Sequence, residues 1–283
     1  MKLTLLRFAM LLVLLSLQTK MVFAESAEQT FANGEKLLAK ADFDGALKAF
    51  AQAAKADRTK PEYLQHYAMV NQVVGLRKRL ATEQDAGQWE YVARGLHAFY
   101  IGQGLYAEAL PLDRQIHERL NSAYSAALLA ETQLVLNRNA EAAEVLAALE
   151  VGKHTPGTRA LHGLALARQG KTDEARKIAQ TIELGTDCGP GMTYSVARLQ
   201  AALGNTDEAL SLLKRCFESI APSQLDGYKH HAKLSPEFSK LVSTAGFAQV
   251  LETKSKVAES PCSGGSRCSN CPMRGNCPSS QQP

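Results

Sequence analysis

Five stretches of this chain carry one pattern of polar and apolar positions: ADFDGALKAF (41–50), QGLYAEALPL (103–112), NRNAEAAEVL (137–146), QGKTDEARKI (169–178) and GNTDEALSLL (204–213). Each opens on a small or polar residue suited to a turn, passes an acidic position, reaches an alanine and runs into apolar residues. Within each run the apolar positions fall three and four apart, the spacing of one helix face. The alanines are Ala46, Ala109, Ala142, Ala175 and Ala209, and the last four are separated by 33, 33 and 34 residues. A fixed interval of that length means one supersecondary unit repeated and stacked, since a single helical pair cannot bury its own apolar face. The pattern therefore predicts paired helices with a turn before each quoted stretch. Composition agrees: aromatic residues make up only 6% and alanine and leucine are frequent, which favours helix over sheet.

Period and pattern together resemble the tetratricopeptide repeat (TPR). The resemblance implies an all-α fold, a right-handed α-solenoid of helical hairpins, with small residues wherever the two helices of a hairpin cross. Gly34 and Gly163 match the small position of the first helix, Ala130 and Ala197 substitute for it, and His97 departs from it. Leu37, Tyr100 and Leu166 match the bulky position beside the crossing. Phe50, Leu146 and Leu213 match the later apolar one. The array covers 25–223 in about six repeats. Residues 61–89 form its degenerate member, starting at Pro61, a residue suited to a first helical turn, with Gly75 expected at the turn between two helices. Residues 224–254 are expected to be capping helices. The segment SPEFSKL followed by GFAQVL is similar to the closing segment of bacterial TPR arrays, and Ser235 is placed to cap a helix begun by Pro236 and Glu237. After Ser255 the periodicity stops, and 255–283 reads as a flexible Cys-rich tail.

The N-terminus changes the compartment. Lys2 and Arg7 precede the apolar run Phe8–Leu17, and Val22 and Ala24 suit cleavage after Ala24. Residues 1–24 thus read as a signal peptide, with an uncleaved anchor as the alternative, and the expected location is periplasmic or secreted. Removing them takes away Lys2, Arg7 and Lys20 and no acid, so the formal charge falls from +4 to +1. A nearly neutral chain offers no concentrated positive field for nucleic acid or for a membrane beyond the signal peptide.

Cysteines then narrow the chemistry. Cys188 precedes the first helix of the last repeat and Cys216 ends its second. Antiparallel helices bring those ends together, so an oxidising compartment favours a Cys188–Cys216 disulfide, the alternative being two buried free thiols. Cys262, Cys268, Cys271 and Cys277 form C-x5-C-x2-C-x5-C. The stretch CSNCPMRGNC resembles the iron–sulfur loop of helix-hairpin-helix DNA glycosylases, except that the first interval is one residue short. An iron–sulfur cluster, a tetrahedral zinc site and two disulfides all remain open for these four, as do free or redox-active thiols, and no cofactor is certain.

No nucleophile-elbow, zinc-protease or phosphate-loop pattern occurs, and the histidines are scattered, so the chain is read as non-catalytic. The TPR resemblance implies that first helices line a concave face and that certain of their positions point into it: Tyr91, Arg94, Ile101, Tyr124, Glu131, Leu134, Tyr194 and Arg198. Tyrosine and arginine are common interface anchors. The expected partner is a protein or peptide. The alternative function is a metal- or redox-responsive protein working through its cysteine tail.

Overall fold

The computed structural model describes residues 26–185 and 188–258. Every regular element among them is a helix, so the fold is all-α. The signal segment and the four tail cysteines lie outside the described residues. The chain divides into two compact units, 1–105 and 106–283.

In the first unit, α1 (Ala27–Ala39), α2 (Phe43–Ala56), α3 (Pro61–Thr82) and α4 (Ala86–Gly102) pack each on the next. Local chemistry fixes where they start. Ser26 and Gln29 form a capping box before α1, while Asp42 and Asp85 accept the Gly45 and Gln88 backbone N–H groups at the starts of α2 and α4. Such caps satisfy donors that a helix start leaves unpaired. The α1–α2 crossing is close because Gly34 has no side chain: a Cβ there would sit 2.7 Å from the Phe50 ring. Phe31 stacks on Tyr63 at 4.5 Å, and the Arg77 guanidinium lies 4.8 Å from the Phe43 ring centroid.

The degenerate stretch differs from expectation. Residues 61–82 form one continuous helix through Gly75, and the break falls at 83–85. A glycine inside a helix costs only about 1 kcal/mol relative to alanine. The flanking leucines, arginines and lysine favour helix, and no neighbour crowds the glycine, so nothing enforces a turn there.

The second unit contains α5 (Tyr106–Leu120), α6 (Ala123–Val135), α7 (Asn139–Ala147), α8 (Pro156–Arg168), α9 (Thr172–Ala179), α10 (Pro190–Ala202), α11 (Thr206–Ser219), α12 (Pro222–Leu234) and α13 (Ala245–Leu251). One-turn 3-10 segments lie at Val151–Lys153 and Pro236–Phe238. Helices α6, α8 and α10 pack side by side, with α7, α9 and α11 completing their hairpins. The unit is thus a stack of helical pairs at the predicted interval. The hairpin turns share one device. The second residue beyond the first helix takes a left-handed conformation at Asn137, Gly170 and Gly204, as it does at Ala41 after α1, and Gly104 after α4 takes the same conformation. The next N–H then reaches back into the helix: Arg138 to Gln133 O at 2.8 Å, Lys171 to Leu166 O at 3.0 Å, Asn205 to Gln200 O at 2.9 Å. This is the Schellman closure.

Ala46, Ala109, Ala142, Ala175 and Ala209 are all helical and all 0% exposed. Gly163 admits the Leu199 side chain to 2.9 Å of where its own Cβ would stand. At the C-terminal end Phe238 and Phe247 are fully buried in one cluster with Leu213, Cys216 and Phe217, so the end of the stack is covered by apolar side chains. Two local expectations change here. Ser235 makes no capping bond; its hydroxyl turns to His231 Nδ1 at 3.2 Å. The Cys188–Cys216 bridge is not formed in the structure, where both are free thiols. Buried Cys216 donates to Pro190 O at 3.3 Å, and burial pushes its thiol up to about 12.

Candidate functional site

The expected concave-face residues separate by depth. In the first unit Tyr91 is 72% exposed on α4, Arg94 pairs with Glu90 at 2.5 Å, and Ile101 is half-buried. In the second unit Tyr124 is 45% exposed on α6 and Glu131 is partly exposed, whereas Leu134, Tyr194 and Arg198 are buried. Helical register predicts a common direction for these side chains. It did not give what covers them.

The cover is the chain's own segment after α12. Arg198, on α10, is only 2% exposed. Its Nη1 donates to Glu131 Oε1 and Oε2 at 2.9 and 2.7 Å, and its Nε donates to Glu237 Oε2 at 3.4 Å. Glu237 also accepts from Arg168 of α8, through Nε at 2.7 Å and through Nη2. The remaining nitrogen of Arg168, Nη1, donates to the Leu134 carbonyl of α6 at 2.7 Å. Helices α6, α8 and α10 and the Pro236–Phe238 turn therefore meet in one charge network. Burial acts to raise Glu237, but the adjacent Arg198 and Arg168 guanidiniums hold its carboxyl below the ordinary value. Burial acts to lower Arg198, and Glu131 and Glu237 more than reverse it, so the guanidinium stays charged.

Beside this network sits a hydrogen-bonded trio. The Tyr194 hydroxyl lies 2.6 Å from His231 Nδ1 and 3.4 Å from Ser235 Oγ. Burial raises the Tyr194 phenol well above its usual value. Burial and the Arg198 charge lower His231, against opposing pulls from Glu131 and Glu237, so this imidazole favours the neutral form. Tyr194 also packs edge-on against Tyr228 and near Phe238.

Network and trio border a cavity of about 260 Å³. Leu134, Val135, Asn137, Arg168, Arg198, His231, Leu234, Ser235 and Pro236 line it. Two of the expected residues, Leu134 and Arg198, stand in this lining. Sequence reasoning missed Arg168, His231 and Glu237. Arg168 was within reach, since it stands 34 residues after Leu134 on the corresponding first helix, one repeat further on. Glu237 belongs to no repeat, so no register argument points to it.

Among the described residues no group of three or more His, Cys, Asp or Glu side chains is arranged to hold a metal ion, and no helix among them is long and apolar enough to cross a membrane. No family model matches the chain, and no curated protein matches it. Among solved structures it is similar to a thermophilic TPR protein from Thermus thermophilus, at 22% identity and a TM-score of 0.36, covering 74% of this chain and 98% of that one.

Proposed function

We propose that the protein is an exported helical-repeat scaffold of the TPR kind that binds a protein or peptide partner and carries out no chemistry on it. The observation that carries this reading is the presentation of large aromatic side chains on first helices. Tyr91 is 72% and Tyr124 is 45% exposed, and single anchors of this type dominate many protein interfaces. Export rests on the basic start and apolar run of residues 1–24. The test is site-specific photo-crosslinking in cells. A photoreactive residue at position 91 or 124 should give a discrete adduct that the same residue at Lys177, on the second helix α9, does not. Equal labelling at all three positions, or none, rules the reading out.

The C-x5-C-x2-C-x5-C sequence supports a second proposal, in which the tail binds iron–sulfur or zinc. Protein recovered from its native compartment should then contain Fe or Zn, and a chelator should remove the metal and release reactive thiols. Metal-free protein with those four cysteines paired sinks it.

A further inference from the structure

The His231 ring has one side in water and one against the protein. The residue as a whole is exposed, yet its Nδ1 lies 2.6 Å from the Tyr194 hydroxyl and 3.2 Å from Ser235 Oγ. It ties α12 to α10 beside the turn that carries Glu237. The charged and titratable groups around it are Tyr194 and Arg198 on α10, Glu131 on α6, Arg168 on α8, Glu237 in the turn and His230 on its own helix. Helix α11 meets α12 through the apolar cluster around Cys216 and Phe217, with Tyr228 the titratable group of α12 on that side. Two guanidiniums here face two carboxylates, Arg168 and Arg198 against Glu237 and Glu131. The set is balanced only while His231 is neutral. A proton on the ring adds a third cation, and no third carboxylate stands among these groups to meet it. It also makes Nδ1 a donor only, so the Tyr194 hydroxyl is left with Ser235 Oγ to donate to, at 3.4 Å.

We infer that α12 and the Pro236–Phe238 turn form an acid-released latch: a proton on His231 detaches them from α10 and uncovers Tyr194 and Arg198. The water-facing side of the ring lets the proton arrive while the latch is closed. Burial first, and then the Arg198 charge, disfavour the charged ring and outweigh the pull of Glu131 and Glu237. A histidine lowered in this way stabilises the closed form above its ordinary 6.5, and that contribution is lost as pH falls below it. Glu237 is held below 4.5, so it is still charged when the latch opens, and the release is separate from the later protonation of Glu237. The latch is independent of any protein partner held at Tyr91 or Tyr124.

The test is hydrogen exchange of the full chain, read by mass spectrometry at about pH 7.5 and about pH 5, with labelling times scaled to the intrinsic rate. Segment 222–242 should lose protection about tenfold at the lower pH, and α8 should lose less. His231→Gln keeps a neutral side chain that can bond Tyr194, and should keep 222–242 protected at both. His231→Arg fixes the charge and should expose 222–242 at both, with the helices of the first unit still protected. The unaltered chain supplies a check that needs no variant: the midpoint of the opening should coincide with the titration of the His231 Hε1 signal followed by NMR. Equal protection of 222–242 at the two pH values overturns the inference. So does an acid loss that persists in His231→Gln, which moves its origin to His117 or His162. An even loss across the second unit, or a midpoint more than about one pH unit from the His231 titration, overturns it as well.

Discussion

Ala41 is the residue that fits its place least well. The other residues that stand two places beyond a helix end with a left-handed backbone are Gly104, Asn137, Gly170 and Gly204, all of types that accept it. Alanine at φ 59° carries a Cβ close to the following carbonyl, at a cost of about 1–2 kcal/mol. Ala41→Gly should therefore stabilise the protein by about 0.5–1 kcal/mol, after the extra freedom of glycine in the unfolded chain is subtracted, measured as a shift in the denaturant midpoint at constant slope. The turn positions were legible as small or polar residues. Their common conformation was not, because Ala and Asn do not announce it as glycine does. Gly75 shows the reverse error: a glycine reads as a turn, yet here φ stays negative and α3 passes straight through it.

Among elements, the Pro236–Phe238 turn does more than its three residues suggest. Phe238 is buried in the terminal cluster, while Glu237 joins α8 and α10 through Arg168 and Arg198. Glu237→Gln keeps the shape but leaves two largely buried guanidiniums with one carboxylate. It should cost about 3 kcal/mol, since removing one partner of a buried pair strands the other's charge. The pH dependence follows in sign. With its folded-state pKa held below the ordinary 4.5, Glu237 adds stability that is present above that value and is lost as pH falls through the lowered one. The low-pH fall in stability should flatten in Glu237→Gln. A separate acid-sensitive component remains, from His117, His162 and His231, all lowered chiefly by burial. It begins near their ordinary 6.5 and extends downward. Urea midpoints measured for both proteins from about pH 7 to about pH 3 separate the two components. The sequence offered SPEFSKL as a closing segment, and Phe238 reads as apolar in any such pattern. The partners of Glu237 were hidden because the bonded residues lie 69 and 39 positions away, at separations no helical period links to it.

At the scale of the molecule, the repeat was readable because close backbone crossings tolerate only small side chains. Five alanines with 0% exposure are the direct imprint of that rule. Depth was not readable: Tyr91 and Tyr194 both fall on expected inward positions, yet one stands in solvent and the other is sealed by α12 and the turn after it. This sealing bears on how the second unit opens. A stack in which each pair touches only its neighbours frays from its ends. Here the terminal turn is fastened to α8, one hairpin further in, so α8, α10 and α12 should open together. Native-state hydrogen exchange should give their slowest amides one common opening free energy, and Glu237→Gln should let α12 exchange ahead of α8.

The same fastening also sets an order on synthesis. Arg198 leaves the ribosome 39 residues ahead of its second carboxylate, and Arg168 leaves 69 residues ahead of the same group. Chains fold largely from the N-terminus as they emerge. Arg198 can meet Glu131, made before it, at once, whereas Arg168 has no carboxylate in this network until Glu237 emerges. The network is complete only when the final segment arrives, and a nascent chain halted before Glu237 leaves Arg168 without its carboxylate.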